Sequence, residues 1–239
     1  MRRLIAGELI KVRTTRTALG FGVSAVLLVL AGVLISILAG DPTSTDEKRI
    51  ALSFGSGVST VLLLFGAVGA TGEFRHRTLA PAVLIAPDRV RLFLGRLAAY
   101  ALTALLFAAV MLIVAYAVGI PMLSGQAGAE LTGADYAEVA IGGVLATVLA
   151  AALGVGLGTL VRNQVAAVVG ILVWITIVES LVVLISEDVV DHLPGVVMGR
   201  VGQGGDDTMS LATATLVLLA WTAAFSAAAA LVDRRRDVE

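Results

Sequence analysis

"VAAVVGILVWITIVESLVVLIS" runs from Val165 to Ser186 and carries a single ionisable residue, Glu179. A helix needs about 20 apolar residues to cross roughly 30 Å of hydrocarbon, and this stretch has that length. A buried helix of a soluble bundle would keep a polar stripe at a 3.6-residue period, and none is present. Working outward, the same pattern recurs at Ala18–Ala39, Ile50–Gly72, Leu97–Ile120, Ala137–Val161 and Leu211–Val232. The expected fold is an all-α integral membrane protein with six transmembrane helices, at 18–39, 50–72, 97–120, 137–161, 165–186 and 211–232. No internal repeat is visible, so residues 1–239 read as one transmembrane domain.

Composition agrees. The chain is 58% hydrophobic and 15% charged, against about 25% charged for a soluble domain. The charges are sorted by loop. Fourteen of the 17 basic residues fall in the N-terminal segment, the loop between spans two and three, the turn after span four, and the tail. The other three loops hold most of the acids. Lysine and arginine are retained on the cytoplasmic side, so both termini are expected there.

The basic start is spread over sixteen residues and leads into a run longer than the roughly 7–15 residues of a signal-peptide core. It is read as an interfacial helix over 1–17, with Ile5, Leu9 and Val12 near one face. Arg2, Arg3, Lys11, Arg13 and Arg16 are placed to meet anionic lipid head groups.

Much chemistry is excluded. The chain has no cysteine, so disulfides and thiolate metal sites are ruled out. His76 and His192 are expected on opposite sides of the membrane. There is no G-x-x-x-x-G-K-[ST] loop. Gly154, Gly156 and Gly158 lie inside an apolar run and suit close helix packing. No Ser-His-Asp or paired-carboxylate arrangement can be argued. The chain is not expected to be an enzyme, to bind a cofactor or metal, or to bind nucleic acid.

The segment 73–96 between spans two and three is longer than a turn requires. Phe74, Leu79, Val83, Leu84 and Ile85 are apolar, and five arginines run from Arg75 to Arg96. Ala86-Pro87-Asp88 should break it, because proline disfavours helix in the residue before it and suits the first turn of the next one. A short surface helix, a break and an amphipathic lead into span three are expected.

Here the chain resembles the permease subunits of type-2 ABC transporters, in particular the compact six-span forms common in actinobacteria. The residues that carry the resemblance are Glu73, Arg75, Thr78, Pro87 and Arg89, in an E-x-R-x-x-T…P-x-R pattern. Arg77 stands where the family often has glycine. "LVRNQVAAVVG", with Arg162, Asn163 and Gln164, "WITIVES", "HLP" at His192–Pro194, and the tail "DRRRDV" are similar too.

The resemblance implies a subunit of the bacterial cytoplasmic membrane that pairs with a second permease, a homodimer mate or a paralogue. Two ATPase subunits would dock beneath and bind the ATP and Mg. It implies an ATPase-coupling helix carrying Glu73, Phe74, Arg75, Arg77, Thr78, Leu79, Pro87 and Arg89. It also implies a substrate path along spans two and five, and a re-entrant segment at 187–209. Phe65, Trp174, Glu179, Leu193 and Pro194 are the candidate path or gate residues. The implied activity is export of a hydrophobic or amphipathic substrate, such as a drug, peptide antibiotic, lipid or haem-like molecule. Gly55, Gly57, Gly66 and Gly69 of span two are expected at the subunit interface. Two alternatives stand beside this: an ion- or proton-coupled carrier using Glu179, and a membrane sensor or assembly subunit that moves nothing. Glu179 is expected to find partners among Thr176, Ser180, His192 and Arg200.

Overall fold

The computed structural model describes residues 2–53, 55–75 and 88–235. Among them every regular element is a helix. In chain order they are α1 (Arg2–Thr14), α2 (Arg16–Leu38), α3 (Thr45–Leu52), α4 (Gly55–Arg75), α5 (Arg89–Leu123), α6 (Gly133–Val161), α7 (Gln164–Val183), α8 (Glu187–Val190), α9 (Pro194–Gly202) and α10 (Leu211–Arg235). Six stretches are long and apolar enough to cross a membrane: α2, α3 continued by α4, α5, α6, α7 and α10.

Local chemistry moves several boundaries away from the apolar runs. The run that begins at Ile50 is split. Ser44 and Glu47 form a capping box that starts a helix at Thr45; each side chain satisfies the other residue's backbone N–H. That helix stops at Ser53, whose backbone is extended, and α4 follows. Asp88 caps α5 by accepting the Arg91 N–H at 3.2 Å, so α5 begins eight residues before the apolar run at Leu97. Its 35 residues extend roughly 52 Å at 1.5 Å each, well beyond the hydrocarbon thickness. The overhang is the amphipathic lead, and α1 packs against it, with Leu4 beside Gly95. α7 ends at Val183, three residues short of the apolar run.

α6 is the central helix, in contact with α4, α5, α9 and α10. In its most apolar window 61% of residues are buried, against 17% for α7. The reason is its small residues. A Cβ added at Gly154 would overlap the Leu63 carbonyl, one at Gly158 the Ala67 carbonyl, and one at Gly66 of α4 the Ala151 carbonyl. The two backbones therefore touch, which side chains would prevent. The expectation that the span-two glycines serve a subunit interface is corrected for Gly66 and Gly69. Gly66 is spent on α6 and Gly69 on the Tyr100 ring within the same chain, whereas Gly57 meets nothing.

The charge sorting has a structural counterpart. At one end of the bundle Arg162 pairs with Asp233 at 2.7 Å, and Arg89 donates to the Asp233 carbonyl at 2.9 Å. The overhang of α5 with its α1 partner lies at this end as well. At the opposite end Arg49 of α3 pairs with Glu138, lies 3.8 Å from Asp135, and donates to the Gly204 carbonyl at 3.0 Å. There the Ala129 N–H also donates to the Thr43 carbonyl at 2.9 Å. The loops expected on one side of the membrane thus meet one another, and those expected on the other side do the same.

Candidate functional site

The centre of interest is the middle of α7. Residues Trp174–Val178 form a π-helical turn, and the Glu179 N–H returns to the Trp174 carbonyl. At 3.6 residues per turn, positions five apart lie about 140° apart around the axis. The i→i+5 ladder closes that gap and puts both side chains on one face. The Trp174 Nε1–H accordingly donates to Glu179 Oε1 at 3.0 Å.

The same oxygen accepts the Gly195 N–H at 2.9 Å, with the Val196 N–H beside it. Gly195 is the second residue of α9. That helix opens at Leu193, which supplies no side-chain cap, followed by Pro194, which has no N–H to satisfy. Glu179 therefore fills the N-cap role from a different helix. The first N–H groups of a helix lack intrahelical partners, and a carboxylate near that terminus also meets the positive end of the helix dipole. The carboxylate is buried, at 4% exposure. A Cβ on Gly195 would overlap it, so glycine is what lets the two elements approach.

For Thr176, Ser180 and Arg200 the partnership foreseen with Glu179 is corrected. Thr176 and Ser180 donate to carbonyls of their own helix, those of Leu172 and Thr176. The His192 carbonyl accepts the Trp221 Nε1–H at 2.8 Å. Arg200 is engaged with Asp191 at 2.6 Å and Asp206 at 3.0 Å.

Below this latch lies an apolar crevice of about 280 Å³ between α4, α6, α7, α9 and α10. Leu63, Leu153 and Met198 form its floor; Trp174 and Pro194 stand on one side, and the stacked pair Trp221–Phe225 on another. The structure thus brings Glu179, Trp174, Leu193 and Pro194 together. Phe65 is elsewhere. It packs with Phe21, Tyr100 and Phe107 at ring separations of 4.9–5.7 Å, on the α2 and α5 side. Gly195 and Trp221 belong to the site but were not picked out from the sequence; Met198 lies in the segment 187–209 without having been singled out as a path residue.

Of the other candidate residues, Glu73, Phe74 and Arg75 close α4 and Arg89 opens α5. Arg77, Thr78, Leu79 and Pro87 lie outside the described residues, as does most of the expected coupling helix. Among the described residues no cluster of three or more His, Asp or Glu side chains could hold a metal ion.

Fold and site together define a multi-pass helical bundle with six helices long and apolar enough to cross a membrane, an apolar crevice among five of its helices and a buried carboxylate that joins two of them. No protein-family model matches the chain, and no curated protein does either.

Proposed function

We propose that this chain is the membrane-spanning permease subunit of an ABC-type exporter, moving a hydrophobic or amphipathic substrate with ATP hydrolysed by a separate subunit. The observation that carries the proposal is the assembly at the basic end. The segment with the family-like residues Glu73, Arg75 and Arg89 leaves α4 and enters α5 there. At its exit Arg89 is tied to Asp233, and Asp233 to Arg162. A push on that segment by a docked ATPase would act on the ends of α5, α6 and α10 together. In this proposal the basic end faces the cytoplasm, α8 and α9 re-enter the membrane from outside, and two copies or paralogues pair. The carrier alternative is less favoured by the geometry. Glu179 holds a tryptophan N–H and a helix N-terminus, which is the work of a brace rather than of a carboxylate free to load and unload.

The test is co-purification from native membranes with an ATPase subunit, followed by ATP turnover in vesicles. Reversing the charges of Glu73 and Arg75 together should leave assembly intact while abolishing substrate-stimulated hydrolysis. Full stimulation in that variant, or no ATPase in the purified complex, would refute the proposal.

A further inference from the structure

The crevice between α7 and α10 has a chemistry of its own, independent of whether the chain transports anything. Its floor residues Leu63, Leu153 and Met198 are almost wholly buried, while Trp174 at its rim is 41% exposed. It therefore opens outward, on the side of α7, a helix mostly surrounded by whatever solvates the bundle. The two indoles that line it carry N–H groups, but both are spent elsewhere, on Glu179 and on the His192 carbonyl. They offer the crevice only ring carbon. A water molecule needs two to four polar partners to reside in a cavity, and these walls provide none. Hydrocarbon is the occupant such walls solvate.

One end of the crevice abuts charge. Val161 and Ala166 line it on either side of the 162–164 turn. Arg162 stands there beside Asp233, and Arg89 donates to the carbonyl of the same aspartate, so two guanidinium groups meet one aspartate at this end. The other end is closed by Pro194 under the Glu179 latch. From Ala166 to Trp174 the wall runs roughly 12 Å at 1.5 Å per residue. This is the layout for a phospholipid anchored by its phosphate at the basic end, with one acyl chain running inward. We infer that the crevice is a binding site for a single phospholipid acyl chain, held between α7 and α10 with its head group at the Arg162 turn.

The chain contains two tryptophans, and both line the crevice, so the whole indole emission of the protein reports on it. The experiment titrates the delipidated, detergent-purified full chain with phosphatidylglycerol brominated at mid-chain, since bromine quenches indole on contact. Gly170 lies on the wall, and a Cβ there meets nothing within 4 Å, so a side chain can be added at this position and Gly170→Phe is chosen to occupy the space. In the wild type, emission should fall at least two-fold and saturate near one lipid per chain. In Gly170→Phe the saturating phase should vanish while circular dichroism and elution volume stay unchanged. Quenching that rises without saturation, and equally in both proteins, would mean general lipid contact and overturn the inference. Absence of quenching in a protein eluting as a dimer would mean that a second copy covers the crevice, and would overturn it too. Equal quenching by a brominated alkyl ester lacking the phosphate would refute the head-group anchor.

Discussion

Glu179 of α7 accepts the backbone N–H of Gly195 at 2.9 Å, so the N-terminus of α9 is capped by a side chain from the preceding transmembrane helix. Leu193 occupies the cap position but has no acceptor to offer. The bond joins the π turn of α7 to a short helix that packs against α4, α6 and α10 together.

Removing the acceptor should therefore cost more than a typical hydrogen bond. In Glu179→Ala the Gly195 and Trp174 N–H groups are both left without it, at about 1–3 kcal/mol for the buried Gly195 group and less for Trp174, which is partly exposed. Glu179→Gln keeps a carbonyl oxygen and should lose less than half as much. Gly195→Ala pushes a methyl into the carboxylate, so its effect and that of Glu179→Ala should not add. Thermal unfolding in detergent, followed by tryptophan emission, measures these three variants and the Glu179→Ala/Gly195→Ala double variant. Additive losses would show that the two residues act separately.

The contact between α4 and α6 makes a sharper distinction among glycines. Gly66→Ala and Gly154→Ala each place a methyl onto a carbonyl of the facing helix and should destabilise by about 1–3 kcal/mol through overpacking. Gly57→Ala and Gly170→Ala face open space and should change stability little, or raise it slightly through helix propensity. The yield of monodisperse protein and the unfolding midpoint separate the two groups. Equal behaviour would refute the direct backbone contact.

At the basic end the Arg162–Asp233 pair is partly shielded, with side-chain exposures of 20% and 13%. Asp233→Asn should cost about 1.5–3 kcal/mol, the range for a hydrogen bond to a charged group. The reciprocal swap Arg162→Asp with Asp233→Arg should recover part of what each single change loses. A double-mutant cycle on the unfolding midpoints gives the coupling. A coupling indistinguishable from zero would mean that the pair does not hold these helices together.

Topology can be read directly, because the chain has no cysteine. Single cysteines at Ala127 and Asp207, near the Arg49 end, should react in intact cells with a maleimide that cannot cross membranes. Cysteines at Ala82 and Glu239 should react only after lysis. The opposite pattern would invert the proposed orientation, and labelling of Ala127 and Asp207 from different sides would break the six-span arrangement.

The apolar runs were legible because crossing hydrocarbon imposes a length and an absence of charge on each segment by itself. The grouping of loops was legible for a similar reason, since like-placed loops share a composition; Arg89, Arg162 and Asp233 meet as that sorting implied. The small-residue spacing of Gly154 and Gly158 announced a close contact without naming the partner. Boundaries were less legible. The Ser44–Glu47 box and the Asp88 cap override hydropathy, because a satisfied helix end is worth more locally than one further apolar residue.

What the sequence by itself determined, then, is that six segments are long and apolar enough to cross hydrocarbon and that the loops fall into a basic and an acidic group; the first follows from segment-by-segment transfer into hydrocarbon. What only the tertiary structure decided is where Glu179 finds its partner, which glycines of span two are already spent, and that Trp174 and Trp221 flank one crevice. A backbone N–H is present at nearly every position and so leaves no mark in a sequence. A cavity is the space that several helices fail to fill. Both depend on how helices distant in the chain cross, and crossing is set by packing among them rather than by any one segment.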